Sequence, residues 1–386
     1  GQKSHHPVLR WRPDQPGSSG TKSGPLRHDY ILAIYSVFML LRQATVVGRS
    51  MASRRLRPAS GFLYSTRDMS LEIQILIALF LDLLFGDPRG FPHPARMMRR
   101  FALALEPSLR RMIKSPREAG LLAAVMVIGL SGLSAWGLLK LAASVHPWAH
   151  TVLSIWIFYT ALSARPLADQ AAEVCRSLEV GNLPLARKRV SEMVRRDTDR
   201  MDREEAARAA IESVARHGVD GVMAPLLCAF LFGPLGVILY KSTDALDAAF
   251  GHKNGQYYDF GRFSAWLDRL ANWLPARVTV LFMALAAMLL GMRPLAALRV
   301  SRRDGGVQEN TNAALPEAAM AGALGIQLGG PVFRGGSFDP QPFMGDPLQR
   351  LEPGHIRQAS AVLYAMTILA AAIFALLHKG AVAILK

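Results

Sequence analysis

Strongly apolar runs alternate abruptly with densely charged segments along this chain. The apolar runs that we interpret as spans are residues 119–145, 151–162, 222–240, 277–292 and 359–377. A helix that crosses a bilayer needs about 20 predominantly apolar residues. Charged residues make up 19% of the sequence, whereas soluble domains carry about a quarter. The pattern predicts an all-α, polytopic integral membrane protein with about five transmembrane helices, whose polar amphipathic helices and loops carry the functional site.

The charge distribution predicts which side of the membrane the polar segments occupy. The formal net charge of +16 would by itself suit nucleic acid, a membrane surface or an anionic ligand. The basic residues lie mostly in loops between apolar runs, without interleaved aromatic residues, which favours membrane topology and argues against nucleic acid as a partner. Residues 87–118 and 165–219 are the basic loops. The positive-inside rule places both on the cytoplasmic side of a multi-pass inner-membrane protein.

The domain organisation follows from composition along the chain. Residues 1–68 differ from the remainder, and 1–27 are rich in proline, glycine, serine and basic residues. We expect residues 1–68 to form a disordered or dispensable extension and residues 69–386 to form the membrane-embedded domain. Cys175 and Cys228 are the only cysteines and lie far apart, so neither a disulfide framework nor a zinc site is supported.

The apolar run 222–240 leaves two topologies open. It is long enough to cross the membrane, but Gly233 and Pro234 interrupt its middle. Such an interruption produces either a kinked span or a re-entrant hairpin. If the run crosses, the polar segments 196–220 and 240–274 lie on opposite sides and cannot share one site. A re-entrant hairpin would bring them together.

Carboxylates in two polar segments are candidate metal ligands. Glu212 and Asp220 flank a predicted turn where a polar helix meets an apolar run, and Mg²⁺ favours one or two carboxylates with phosphate and water. Asp244 and Asp247 share a helix face with Lys241, which suits a site for metal and phosphate. Ordinary charged helix ends and a surface ion-pair face explain the same residues, and the sequence leaves both interpretations open.

A rigid loop follows the first apolar stretch of the membrane domain. Two glycines and three prolines lie within residues 86–94, so no helix continues through them. The loop presents Asp87, Arg89, His93 and Arg96. The sequence contains no GxxxxGK[ST] phosphate loop and no GxGxxG after a strand, so nucleotide chemistry would need a site outside those motifs.

Five segments in the same order resemble the adenosylcobinamide-phosphate synthase family of cobalamin biosynthesis. They are DLLFGDPRGFPHPARMMRR at 82–100, RDTDRMD at 196–202, AAIESVARHGVDGVMAPLL at 209–227, the polar segment 240–279, and PEAAMAGALGIQLGGP at 316–331. The resemblance implies a membrane ligase that uses ATP and Mg²⁺ to join (R)-1-amino-2-propanol, or its O-phosphate, to the carboxylate of adenosylcobyric acid. It also implies the corrinoid, the amine, the lipid bilayer and other membrane proteins of cobalamin assembly as partners.

The resemblance carries site residues over position by position. Catalytic roles fall on Glu212, Asp220, Lys241 and Asp247, and the three carboxylates among them are the expected Mg²⁺ ligands. Substrate and phosphate contacts fall on Asp87, Arg89, His93, Arg96, Asp197, Thr198, Lys253, Asp259, Arg262 and Glu317. Among the basic residues, we expect Arg89, Lys241 and Lys253 to bind phosphates.

Three departures from the family pattern keep a second interpretation open. Arg216 and His217 stand where the family usually has Glu-Asn, Asp244 stands where it usually has Asn, and residues 310–315 replace a run of Asn-Ser-Gly-Trp character. A non-catalytic membrane sensor or assembly protein, similar to the ampicillin-resistance regulators of the same superfamily, would tolerate such changes. Retention of the other motif carboxylates and of Lys241 favours the enzyme.

Overall fold

The computed structural model describes residues 69–87, 93–251, 255–308 and 310–384. The predicted extension 1–68, Arg89 and Lys253 lie outside the described residues. The α-helices are α1 Leu71–Phe85, α2 Pro94–Met112, α3 Pro116–Val145, α4 Pro147–Ala161, α5 Ala164–Glu179, α6 Leu183–Ser191, α7 Arg203–Gly218, α8 Ala224–Phe250, α9 Arg262–Ala271, α10 Trp273–Leu289, α11 Pro294–Asp304, α12 Thr311–Leu324 and α13 Gly354–Ile384. A π-helical turn, Val219–Met223, joins α7 to α8. The strands are β1 Leu328–Gly329, β2 Val332–Arg334, β3 Ser337–Asp339 and β4 Phe343–Met344.

Local sequence signals set where several helices begin. Proline occupies the first turn of α2, α3 and α4, at Pro94, Pro116 and Pro147, where its missing N–H costs no helical hydrogen bond. A capping box starts α7: Asp202 Oδ1 accepts a hydrogen bond from the Glu205 N–H at 2.7 Å, and Glu205 Oε2 accepts one from the Asp202 N–H at 2.8 Å. This reciprocal pair fixes the start of the helix that carries Glu212.

Three of the described helical stretches are long and apolar enough to cross a membrane, namely α3, the continuous stretch Arg203–Phe250, and α13. The helices α9 and α10 form a fourth candidate if they count as one span bent by 41°. The all-α membrane class is therefore confirmed, with three or four spans by length and composition where the sequence suggested about five. The difference arises because α4 has only 15 residues and α10, taken alone, has only 17.

The helix α8 reverses direction at Gly233. Its φ of 68° and ψ of −160° lie in a region that glycine adopts readily and other residues avoid, and Pro234 has no N–H to continue the helical ladder. As a result, the Nζ atom of Lys241 lies 3.3 Å from the main-chain oxygen of Asp220, although a straight helix would separate these positions by about 31 Å. Residues 222–240 thus form a hairpin, which favours the re-entrant alternative, and the polar segments on its two sides meet.

The helix α7 lies at the centre of the packing. Ala206, Ala207, Ala209 and Ala210 expose no surface, so neighbouring backbones approach the helix closely, as is usual for small residues in membrane bundles. Its neighbours include α5, α12 and α13. Charged side chains on this helix must therefore find partners on the elements packed against it, because few positions face water.

Two short antiparallel strand pairs lie between α12 and α13, β1 with β4 and β2 with β3. In the second pair Phe333 lies opposite Phe338, and the turn is made by Gly335 and Gly336 with φ of 56° and 76°. Positive φ at both central residues is the requirement of a type I′ turn, whose twist matches that of the flanking strands. Residues 332–339 are called the β-hairpin below.

Candidate active site

Charged side chains follow one face of α7 into the π-helical turn. Glu212, Arg216 and Asp220 are spaced four residues apart, and such residues are neighbours on a helix surface. The turn that contains Asp220 is π-helical, a local distortion found frequently at functional sites. These three residues are called the charged face, and the predicted residues Glu212 and Asp220 lie on it.

Glu212 is engaged on both carboxylate oxygens. Oε2 forms an ion pair with the Arg196 guanidinium, and Oε1 accepts a hydrogen bond from the Gly329 N–H at 2.6 Å. Both charged side chains are largely buried, and burial of a carboxylate is tolerated when it is paired and hydrogen-bonded. Glu212 thus joins α7 to the segment before it and to β1. Its partner Arg196 was not among the predicted site residues.

Arg216 forms the next ion pair along the charged face. Its Nε donates to Glu317 Oε1 at 2.8 Å, and its Nη2 lies 2.7 Å from the same oxygen. Glu317 is 1% exposed, whereas the Arg216 side chain is 42% exposed. Burial raises the pKa of the Glu317 carboxyl to about 7, against the lowering effect of the Arg216 charge. The predicted residue Glu317 therefore orients a cation that faces the site.

Lys241 links the returning arm of α8 to the π-helical turn. Its ammonium group donates to Asp244 Oδ2 at 2.6 Å and to the main-chain oxygen of Asp220 at 3.3 Å. Asp220 also interacts electrostatically with Asp244, Asp247 and Arg216. The predicted residues Asp220, Lys241 and Asp247 are therefore brought together, and they meet because the chain turns back at Gly233.

Asp268 is a fourth carboxylate of this region and was not among the predicted residues. It interacts electrostatically with Asp220, Asp247 and Asp244, and these four residues are called the aspartate cluster. All four are only partly buried. With Lys241 and Arg216 as the adjoining cations, the cluster carries two surplus negative charges when every group is ionised. The sequence could have pointed to Asp268, because this residue lies on the polar side of a short amphipathic helix. That helix belongs to the segment 240–279, which resembles the family.

The first loop meets the site at His93. Its Nε2 atom lies 3.8 Å from Asp87 Oδ1, and Arg96 Nη2 lies 4.0 Å from Asp87 Oδ2. The Nδ1 atom of His93 is buried and has no hydrogen-bond partner among the described residues. Burial lowers the pKa of the His93 imidazole, and the nearby charge of Lys241 acts in the same direction. The structure thus places Asp87 and His93 beside the returning arm of α8.

Asp197 and Thr198 lie at the β-hairpin. The Asp197 carboxylate accepts hydrogen bonds from the Gly335 N–H at 3.1 Å and from the Gly336 N–H at 2.7 Å. The Asp197 N–H also donates to the Phe333 carbonyl at 2.9 Å. Thr198 is buried at 6% exposure. In this arrangement Asp197 clamps the tip of the hairpin, and a contact of either residue with substrate stays a prediction.

Asp259 and Arg262 lie on the segment that follows α8. Asp259 Oδ1 accepts from the Arg117 Nε at 2.7 Å, which ties this segment to the start of α3, and Arg110 Nη2 donates to the Gln256 carbonyl at 2.9 Å. Arg262 is exposed at the first position of α9. These contacts hold the segment on α2 and α3, and roles in substrate binding for Asp259 and Arg262 stay predictions.

The expected metal ligands divide between two places. Among the described residues, no group of three or more histidine, cysteine, aspartate or glutamate side chains has the geometry of a metal site. Glu212 is satisfied by Arg196 and Gly329, whereas Asp220 and Asp247 belong to the aspartate cluster. Mg²⁺ keeps several waters and usually takes one or two protein carboxylates beside substrate phosphates. The partly exposed aspartate cluster offers carboxylates for an ion held in that way, both oxygens of Glu212 are engaged by Arg196 and Gly329, and a metal at either place stays a prediction.

Comparison with known proteins identifies relatives over most of the membrane domain. A family model described as CobD/Cbib protein matches residues 75–363. The protein named cobalamin biosynthesis protein CobD from Leptospira interrogans (serovar copenhageni) is 38% identical over 307 residues, covering 80% of this chain and 98% of the relative. The proteins of the same name from Geobacter metallireducens and Klebsiella pneumoniae are 41% and 38% identical, over 75% and 77% of this chain and 91% and 94% of theirs. No solved structure matches this chain.

Proposed function

This chain belongs to the CobD/Cbib family of cobalamin biosynthesis proteins, and from that membership we propose that it joins an amine to a corrinoid carboxylate. The proposed reaction is the ATP-dependent ligation of (R)-1-amino-2-propanol, or its O-phosphate, to adenosylcobyric acid. The observation that carries the proposal is the meeting of Lys241 with Asp220 and Asp244 at the junction of the two α8 arms. It supplies cations and carboxylates at one place, which such a ligation requires.

The proposed chemistry has two steps at one carbonyl carbon. An oxygen of the substrate carboxylate attacks the terminal phosphorus of ATP, the bond to ADP breaks, and an acyl phosphate forms. The amine nitrogen then attacks the acyl carbon, the carbon–oxygen bond to phosphate breaks, and the proton of the amine passes to a base. Fixed cations that face the developing negative charge stabilise both transition states.

Lys241 and Arg216 are the described cations that can meet the phosphates, together with the predicted ligands Arg89 and Lys253. Lys241 is held by Asp244, and Arg216 is held by Glu317, so each positive charge has a fixed position. Asp220 and Asp247 would hold Mg²⁺, which when bound supplies positive charge that neutralises the phosphate oxygens. In this scheme the cations of the chain contact the phosphates directly, and the carboxylates act on them through the metal ion.

His93 is the residue best suited to accept the amine proton. Burial lowers the pKa of its imidazole, so the ring is neutral near pH 7. Its Nδ1 atom has no partner within the described residues, which leaves one ring nitrogen able to accept a proton. In this scheme Asp87, beside Nε2, orients the ring.

We place the reaction at the cytoplasmic face of the inner membrane. The basic loops 87–118 and 165–219 support this side through the positive-inside rule. The partly exposed aspartates support a groove open to water, which suits a substrate as large as a corrinoid better than an enclosed pocket.

Amide formation by the purified, detergent-solubilised protein tests the proposal. The reaction would contain adenosylcobyric acid, ATP and Mg²⁺, with the free amine and the amine phosphate supplied separately. We expect product with at least one amine, and a fall in kcat of about 100-fold or more for Asp220→Asn, as for loss of an electrostatic stabiliser. Asp169→Asn is the matched control, because Asp169 pairs with Arg165 on the outside of α5.

Two results would count against the proposal. Absence of product with both amines, from protein whose fold is verified, would favour the non-catalytic sensor or assembly protein. Full activity of Asp220→Asn would remove the aspartate cluster from the mechanism even if the wild-type protein makes the amide.

A further inference from the structure

Asn272 lies at the bend between α9 and α10 and joins groups that the proposed mechanism has not used. Its side chain is buried, with 3% of the residue exposed. The Nδ2 atom donates to Asp268 Oδ1 at 3.0 Å, and Oδ1 accepts from the Tyr240 hydroxyl at 2.9 Å. The Tyr240 oxygen lies 3.5 Å from the main-chain oxygen of Asp220. One chain of polar contacts thus connects the bend, the returning arm of α8 and the π-helical turn.

The donors and acceptors fix the Asn272 amide in one orientation. Its Oδ1 can only accept and its Nδ2 can only donate, while an ionised Asp268 carboxylate can only accept. Reversal of the amide would bring its oxygen against the Asp268 carboxylate and replace a hydrogen bond by repulsion. A buried amide that is satisfied at both ends in one orientation only is rigid.

The carboxylate held by this amide faces three others. Asp268 interacts with Asp220, Asp244 and Asp247, and when all four are ionised their mutual repulsion favours turning one side chain away from the rest. The hydrogen bond from Asn272 opposes that rotation, and hydrogen bonds to an ionised group are the stronger kind. The hydrogen bond from the Asn272 amide therefore keeps the Asp268 side chain in the aspartate cluster.

We propose that Asn272 is a positioning residue of the ligation, which holds the Asp268 carboxylate in the aspartate cluster to receive the cationic reactants. The inference rests on the proposed function and extends it, because Asp268 becomes a fourth carboxylate where Mg²⁺ and the ammonium group of the amine enter. Position matters at such a site, since a misplacement of about 1 Å can lower the rate about 100-fold.

Steady-state kinetics of Asn272→Asp test the proposal, because this variant keeps an acceptor for Tyr240 and loses the donor to Asp268. We expect kcat to fall at least about tenfold while the KM for adenosylcobyric acid stays within about twofold of wild type. Asp268→Asn should give a similar fall. The double variant should lose little more than either single variant, since residues that act as a unit are not additive.

Asn182→Ala is the control for a purely structural loss. Asn182 Oδ1 accepts from the Leu185 N–H at 3.1 Å and caps α6, away from the aspartate cluster. Removal of this cap should lower thermal stability slightly and leave kcat unchanged. Tyr240→Phe is a second probe in case Asn272→Asp folds poorly, because it keeps the ring and removes the hydroxyl group that donates to Asn272.

Hydrogen exchange measures the positioning without catalysis. Asn272→Asp should raise the exchange of amides 219–223 and 262–271 at least about tenfold and leave 354–363 unchanged. Unchanged exchange in the first two segments, or a kcat within about twofold of wild type for both Asn272→Asp and Asp268→Asn, would overturn the proposal. Wild-type protein that forms no amide would instead refute the proposed function, and the exchange result would then decide the positioning role by itself.

Discussion

The Nζ atom of Lys241 lies 3.3 Å from the main-chain oxygen of Asp220, although the two residues are 21 positions apart in the sequence. The contact exists because α8 folds back at Gly233, and it makes one site from two segments that a straight span would separate. Asp244, Asp247 and Lys241 on the returning arm thereby face Asp220 on the outgoing one. Two predictions follow directly from this reversal.

Cysteine labelling should find the two polar segments on the same side of the membrane. His217 and Gln256 are both exposed. The variants His217→Cys and Gln256→Cys would be made in a background without Cys175 and Cys228. Both should react with an impermeant maleimide from one side of the membrane only, and it should be the same side for both. Ser144→Cys, near the far end of the membrane-crossing helix α3, should react from the opposite side. Labelling of positions 217 and 256 from opposite sides would contradict the reversal.

Replacement of Gly233 should destabilise the protein and lower its activity together. With φ of 68° and ψ of −160°, an alanine at this position would be strained by about 1–3 kcal/mol, and relief of that strain would move the returning arm away from Asp220. Gly137→Ala is the matched control, because no atom lies within 4 Å of an added methyl group there. Apparent melting temperature and kcat should both fall for Gly233→Ala and stay at wild-type values for the control.

Much of the fold was predictable, because hydropathy reports directly on what lipid tolerates. The apolar runs predict the membrane class, and Gly233 and Pro234 restrict the run 222–240 to two topologies. Local sequence cannot choose between those two, since the decision depends on whether Lys241 finds partners at the π-helical turn.

The partners of individual carboxylates were not predictable in the same way. Glu212 and Asp197 resemble site residues in motif and charge, but each one accepts main-chain N–H groups from β1 or the β-hairpin, more than 100 residues later. Asp268 is the opposite case: it was not predicted, yet it belongs to the aspartate cluster. It does so because a bend brings α9 to α8. Such contacts are set by tertiary approach, which a single sequence does not encode in any local pattern.

Gly120 should be intolerant of any side chain. A methyl group there would lie 1.9 Å from the Phe260 carbonyl oxygen, a main-chain atom that cannot move without shifting the segment held by Arg117 and Asp259. Gly120→Ala should therefore destabilise the protein by about 1–3 kcal/mol, as overpacking does. Gly129→Ala, on the same helix with no atom within 4 Å, should leave the melting temperature unchanged. Equal melting temperatures for the two variants would show that α3 and the main chain at Phe260 are not packed this closely.

Loss of the Asp197 clamp should free the β-hairpin. Asp197→Asn keeps one acceptor and turns an NH₂ group toward the Gly335 and Gly336 amides, so about one hydrogen bond is lost, worth roughly 1 kcal/mol. Trypsin cleavage after the exposed Arg334 should then be about fivefold faster, because local opening governs the rate. Asp199→Asn is the control, an exposed aspartate two residues away. Equal cleavage rates in both variants would argue that Asp197 is free to contact substrate.

Acidification should destabilise the protein through His93. Burial lowers the pKa of its imidazole below the ordinary 6.5, so the unfolded chain takes up the proton first as the pH falls. The stability associated with the neutral ring is present above pH 6.5 and is lost as the pH falls through the lower pKa of the folded state. Between pH 7 and pH 5 the wild-type melting temperature should therefore drop more than that of His93→Gln, which cannot titrate. Parallel curves for the two proteins would mean that the imidazole is as easily protonated in the folded protein as in water, and burial would then not lower its pKa.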